Sequence, residues 1–265
     1  MNNGVLPNKQ VSAIATCVAL SLATTELCAQ DRYRITFGYE YTEGDYGQTQ
    51  DTEQHSLPFS LSWQRDKWTV QASSYYLNSE GPSSVSVTDS SVTTTDSSDT
   101  GVEKDSGFGD TTLSVRRELP WGAEHGLYLD INAAVRLPTA SESSGILERD
   151  PDYSTRLDAY LVKGRWLPLA SIGYKWMGDG DEYDARNIWQ ASAGAQYQLG
   201  NQCSVGGIYD YQQSSSSSGD ALKELVGYVA CPLNSQWSIS TYFLTGFTDS
   251  SVNYGGGIQL SWQAN

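Results

Sequence analysis

The chain has 265 residues, with 31 Asp and Glu against 16 Lys and Arg, a formal net charge of −15 and a pI near 4.4. So acidic a chain repels polyanions, which excludes nucleic acid as a partner, and the lack of any run of eighteen apolar residues excludes a transmembrane helix. A mean hydropathy of −0.44 leaves a membrane β-barrel open, because barrel strands dilute a lipid face with a polar lumen face.

The first segment places Lys9 ahead of an uncharged stretch over residues 11–23 (VSAIATCVALSLA), followed by Leu27-Cys28-Ala29. That order predicts an export signal over residues 1–29, cleaved after Ala29; the apolar stretch is too short to cross a bilayer as a helix. A lipoprotein site at Cys28 is not expected, since Thr25-Glu26-Leu27 lacks the small residues such a site wants. The 265 residues less the 29 of the leader leave 236 for one β domain over residues 30–265.

Twelve alternating runs follow, at 32–41, 54–64, 68–77, 107–118, 127–137, 154–163, 166–176, 186–199, 203–212, 221–231, 237–246 and 252–262. Most have about ten residues, the length a tilted strand needs to span a bilayer. In the first, Tyr33, Ile35, Phe37, Tyr39 and Tyr41 share one face, and Arg32, Arg34, Thr36 and Glu40 the other. The connections alternate in length: 42–53, 78–106, 138–153, 177–185, 213–220 and 247–251 are long, whereas 65–67, 119–126, 164–165, 200–202 and 232–236 are short. This asymmetry predicts a single antiparallel transmembrane β-barrel of about twelve strands in the cell outer membrane, with both termini in the periplasm. The Ser/Thr/Asp tract over 78–106 has almost no large apolar residue and is expected to be a long mobile surface loop.

The fourth and fifth runs read GFGDTTLSVRRELPWGAEHGLYLDINAAVRLPT from Gly107 to Thr139 and form the clearest hairpin. Leu113 and Val115 oppose Asp110, Ser114 and Arg116 across the strand, and Leu129, Ile131 and Val135 oppose Asp130, Asn132 and Arg136. A turn centred near Ala123 sets Asp110 across from Arg136 and Arg116 across from Asp130. These four charges, with Arg156 and Asp158 of the sixth run and Arg32, Arg34 and Glu40 of the first, are the expected lumen-lining charges. They serve either as a selectivity lining or as a structural network, because small barrels fill their interiors with side chains.

Trp63, Trp68, Trp121, Trp166, Trp237 and Trp262 fall beside short turns or the C-terminus, and Trp176 and Trp189 flank a long loop. With Tyr39, Tyr41, Tyr75, Tyr76, Tyr209, Tyr211 and Tyr242 near the long loops, two interfacial girdles are expected. Beyond the leader's Cys17 and Cys28, a hairpin centred on the serine-rich stretch 214–218 sets Cys203 across from Cys231, and export predicts a disulfide between them. Pro58 and Pro168 each deny a ladder hydrogen bond and are expected to kink the wall, opening a lateral exit.

Catalysis is poorly supplied. Only His55 and His125 are present, the second in a short turn and the first beside Ser56 with no orienting group. The acidic stretch 179–184 (DGDEYD) lacks the spacing of a dedicated calcium loop, so no metal and no cofactor is expected, only loose divalent bridging to lipopolysaccharide. The final run, Gly257-Ile258-Gln259-Leu260-Ser261-Trp262, resembles the terminal strand signal of Gram-negative outer-membrane barrels, which implies the barrel-assembly machinery as a partner through Gly257, Leu260 and Trp262.

The stretch Gly107-Phe108-Gly109-Asp110-Thr111-Thr112-Leu113-Ser114, with Val135-Arg136-Leu137-Pro138-Thr139 and Gly173-Tyr174-Lys175-Trp176-Met177-Gly178-Asp179, resembles the outer-membrane transporter family associated with meta-pathway phenol degradation. The likeness covers the chain from about Ser106 onward and departs at Ala140, where such sequences usually have Gly. It implies passive uptake of small organic compounds, aromatic or apolar ones included, and no catalytic residues. The alternative is a non-conducting structural or adhesion barrel whose acidic loops face outward.

Overall fold

Period-two alternation gives each strand one face for lipid and one for a lumen, and a row of such strands joined by hairpins can close on itself. The computed structural model describes residues 9–11, 31–82, 85–88, 91–94, 101–144, 150–178, 186–200, 203–215 and 220–264. Its main sheet comprises β1 (Arg32–Gly44), β2 (Thr52–Arg65), β3 (Trp68–Pro82), β4 (Val102–Phe108), β5 (Thr111–Leu119), β6 (Leu127–Leu137), β7 (Asp152–Leu161), β8 (Trp166–Trp176), β9 (Ile188–Leu199), β10 (Cys203–Gln212), β11 (Leu222–Pro232), β12 (Trp237–Gly246) and β13 (Tyr254–Ala264). Both β4 and β5 pair with β3, so they are two halves of one stave and the barrel has twelve staves. β13 pairs with β1 from Tyr254↔Glu43 to Ala264↔Tyr33, which closes the wall and removes its edges. A small separate sheet joins Lys9–Val11, Ser91–Thr94 and Val85–Thr88. Apart from Lys9–Val11, the expected leader lies outside the described residues, as do the acidic stretch 179–184 and most of the serine tract.

The outer face is apolar around the whole circumference: Phe37, Leu61, Val115, Ile131, Ile172 and Phe243 are each 40% or more exposed. A continuous exposed apolar band of this kind has no place in water and is the lipid-facing belt of an outer-membrane barrel. Aromatic clusters border it, among them Trp166 on Tyr197 at the short-turn end and Tyr174 between Trp176 and Trp189 at the long-loop end. Arg117 stacks on Trp68, 4.9 Å from the ring centroid.

Two girdle assignments are corrected. Tyr75 is 9% exposed and lines the lumen, because Tyr75 and its neighbour Tyr76 cannot share a face of one strand. Tyr242 also points inward, its hydroxyl donating to Glu40.

The register of the β5–β6 hairpin is likewise two residues from expectation. Thr112 pairs with Arg136 and Arg116 with Asn132, which centres the turn on Glu124. The cause is a one-turn 3-10 helix, Ala123–His125, flanked by Gly122 (φ 84°) and Gly126 (φ 75°); their left-handed backbone accommodates a longer turn than a plain hairpin. A shift of two keeps every side chain on its face, so the expected ion pairs survive as diagonal contacts, Arg136 with Asp110 and Arg116 with Asp130 at 3.8 Å.

Strand pairing also extends into the connection 78–106, from Asn78↔Ser106 to Pro82↔Val102. Composition disfavoured burial there, but a paired hairpin outside the bilayer needs backbone bonds more than burial, and Glu80 meets its partner Lys104 at 2.6 Å. Between β1 and β2 the register omits pairs opposite Leu57 and Pro58, where the proline has no N–H to give. Pro168 interrupts nothing of this kind; it pairs with Ala195.

Candidate functional site

The lumen is filled on one side and open on the other. Across β10 to β13, inward tyrosines lie over glycines: a Cβ at Gly206 would meet the Tyr228 hydroxyl at 2.5 Å, and one at Gly257 the Tyr242 hydroxyl at 2.7 Å. Only a hydrogen at those positions lets the rings lie flat against the wall. Tyr228 Oη donates to Gln196 Oε1 at 3.0 Å. These rings occupy the β9–β13 half of the bore, leaving an eccentric space along the remaining wall.

The GFGD stretch builds the long-loop end of that space. Between β4 and β5 the chain gains one residue on β3, so Gly109 and Asp110 both turn inward as a β-bulge. A Cβ on Gly109 would stand 2.1 Å from the Tyr75 ring, and one on Gly107 2.0 Å from Ser141 Oγ. Asp110 Oδ1 accepts the N–H groups of Thr139 and Ala140, each at 3.1 Å, which ties the bulge to the Leu137-Pro138-Thr139 turn. Its other oxygen pairs with Arg136. Arg136 in turn binds Asp152 through Nε at 2.8 Å and Nη2 at 2.6 Å, and Lys175 Nζ reaches Asp152 at 2.9 Å. All four side chains are buried, in a network that fastens β5, β6, β7 and β8 together.

The open space has a volume of about 400 Å³. It runs from Arg32, Gln64 and Thr69 at the short-turn end to Thr42, Gln54, Leu77 and Gln190 near the long loops. Of the charges expected in the lumen, Arg32, Arg34, Glu40, Asp110, Arg116, Arg156 and Asp158 line it. Asp130 and Arg136 face inward but stand behind it, Asp130 beside Arg116 and Arg136 in the buried network. Between the charges the wall is hydroxyl and amide, with Ser60, Ser62, Gln71 and Ser114 among the lining. Sequence reasoning found the charges but missed these neutral inward residues, although they stand at alternate positions in the same runs.

At the long-loop end, Tyr46 folds in from the β1–β2 connection. It adopts a left-handed backbone (φ 49°), is fully buried, and packs with Leu244 and Val252, the latter in the β12–β13 connection. A Cβ on Gly44 would stand 2.8 Å from the Tyr46 ring. Burial, and then the nearby Glu224 carboxylate, push the Tyr46 phenol above its usual range. This apolar knot fills the space against the inner face of β12 at the long-loop end.

On the outer face, Cys203 and Cys231 are disulfide-bonded across β10 and β11, with Cα atoms 4.2 Å apart. His55 also faces outward, its Nδ1 2.6 Å from Tyr39 Oη, whereas Ser56 faces the lumen and reaches Glu40 at 3.5 Å. The two therefore leave the wall on opposite sides. Gly257 lies under Tyr242, while Leu260 and Trp262 alternate onto the outer face, where Trp262 pairs with Trp237.

A family model described as "Putative MetA-pathway of phenol degradation" matches residues 84–264. No curated protein matches the chain. Among solved structures, the barrel is similar to an outer-membrane channel from Pseudomonas putida F1, with TM-score 0.64 and 10% identity over 91% of this chain and 97% of that one. It is also similar to the NanC porin, with TM-score 0.54 and 9% identity over 87% and 98% of the two chains. The KdgM porin in complex with disordered oligogalacturonate matches with TM-score 0.52 and 8% identity over 86% and 98%. At these identities the likeness is one of fold.

Proposed function

The chain belongs to the family described by the MetA-pathway of phenol degradation, and from that premise we propose that it is a passive channel admitting small organic solutes across the outer membrane. The observation that carries this reading is the cavity of about 400 Å³ along the β1–β7 wall, a size suited to small ligands inside a barrel whose outer face meets lipid. Most residues that line it carry hydroxyl, amide or charged groups, with apolar surface such as Pro58, Tyr75 and Leu77 exposed between them, so it suits small solutes that combine hydrogen-bonding groups with an apolar body. In this reading the short turns and both termini face the periplasm, residues 1–29 are removed on export, and Gly257, Leu260 and Trp262 of β13 engage the assembly machinery. No catalytic role is proposed.

Liposome swelling tests the reading. Vesicles holding the folded protein should swell in isotonic solutions of small polar solutes such as glycerol and not in those of trisaccharides. Swelling no faster than in protein-free vesicles would leave the alternative, a structural barrel closed at the Tyr46 knot.

A further inference from the structure

We propose that the lumen contains a binding site for small organic carboxylates, formed by Arg34 and Arg116 with Arg32 beside them. The inference rests on the channel reading for its physiological role, but the geometry argues for it separately.

Arg32, Arg116 and Arg156 belong to one hydrogen-bonded row around the wall: Arg32 pairs with Gln64, Gln64 with Thr69, Thr69 with Arg116, Arg116 with Asn132 and Asn132 with Arg156. Arg34 stands one inward position further along β1. All four guanidiniums line the same cavity.

Their counter-charges are unequal. Arg156 Nε meets Asp158 at 2.9 Å and also lies in the field of Asp210. Arg116 has Asp130 at 3.8 Å, a carboxylate that Glu118 faces on the neighbouring strand, and donates to Thr69 at 3.4 Å. Neither Arg32 nor Arg34 has a carboxylate within ion-pair range among the described residues. Arg34 donates to the neutral Gln263 Oε1 at 2.7 Å and sits in the repulsive fields of Arg116 and Arg32.

A chain of net charge −15 thus holds three neighbouring guanidiniums along one wall of a confined cavity, with Asp130 3.8 Å from Arg116 and no carboxylate among the described residues in ion-pair range of the other two. Repulsion of this kind opposes folding unless something else relieves it. An anion does so, and the planar guanidinium fork matches a carboxylate with two parallel hydrogen bonds. The wall between Arg34 and Arg116 carries Ser62, Gln71 and Ser114, whose hydroxyl and amide groups suit the remaining oxygen lone pairs.

The probe is sodium benzoate, titrated calorimetrically into the folded protein in detergent micelles at low salt, with benzamide as its uncharged counterpart. Benzoate should bind at least tenfold more tightly than benzamide, and Arg34→Gln and Arg116→Gln should each weaken it about tenfold, the usual consequence of losing one charge-assisted hydrogen bond. Arg65→Gln, on an exposed side chain at the short-turn rim, should leave it unchanged. Equal binding of benzoate and benzamide by the unaltered protein would overturn the proposal, and this comparison needs no variant to fold. Binding in micelles requires no conduction: a barrel that binds benzoate but passes no solute retains this site and refutes the channel, while one that passes solutes without discriminating benzoate retains the channel and refutes this site.

Discussion

Replacing Arg136 by Ala should destabilise the barrel strongly and affect its conduction only through that loss. The guanidinium is 5% exposed and pairs with Asp110 and Asp152, themselves 3% and 1% exposed. Without it Asp152 keeps Lys175 at 2.9 Å and the Gly178 N–H at 2.8 Å. Asp110 keeps the two peptide N–H groups of Thr139 and Ala140 and becomes a buried carboxylate without its cation. Removing one member of a buried pair in this way costs about 3–5 kcal/mol. Because the cost comes mainly from the stranded carboxylate, Asp110→Asn should relieve part of it, giving a coupling of about 2 kcal/mol in the double-mutant cycle. Urea unfolding of the protein in phospholipid vesicles, followed by tryptophan emission, measures both. A loss below about 1 kcal/mol for Arg136→Ala, or the same loss with and without Asp110→Asn, would refute the account of this network.

Reduction or Ser replacement of Cys203 and Cys231, which are 28 residues apart, should lower stability by about 3 kcal/mol through the freed denatured chain, while leaving the fold intact; the same unfolding assay reads it, and no change would show that the hairpin is held without the bond. Tyr46→Ala should widen the mouth and enlarge any conductance step. The phenol's ordinary pKa of 10.0 is raised in the folded protein, so the unfolded chain ionises first and stability is lost as pH rises beyond about 10; the unfolding free energy should fall less steeply above that pH in Tyr46→Phe, and an identical fall would contradict the buried neutral phenol. N-terminal sequencing of the exported protein should begin at Gln30, and a start elsewhere would displace the expected cleavage after Ala29.

The strand positions were legible because period two is written into nearly every run: residues such as Ile35, Phe37, Leu113 and Val115 alternate with groups that belong in water. Loop lengths carried the antiparallel order for the same reason. Register was less legible, since it depends on backbone torsions at Gly122 and Gly126 that composition does not announce. The lumen was the hardest part. Tyr75, Tyr228 and Tyr242 point inward because glycines opposite them leave room for rings, and that pairing needs a register before it can be read. The charges of the Gly107–Thr139 stretch were visible, but whether they line a path or lock a wall depends on burial: Arg116 faces the cavity, whereas Arg136, two turns of the same alternation away on the next strand, is sealed between aspartates. Tyr46 gave no sign at all, because one aromatic in a polar loop looks the same whether it folds inward or lies on the surface.

The central claim is that a solute path runs through this barrel, and single-channel recording tests it most directly. The protein, folded and shown to be so by its protease resistance, is inserted into a planar bilayer in potassium chloride. Discrete, reproducible conductance steps that change in size or ion selectivity with Arg116→Ala are the expected result. A bilayer that stays silent with folded protein inserted would contradict the channel and leave a closed structural barrel in its place.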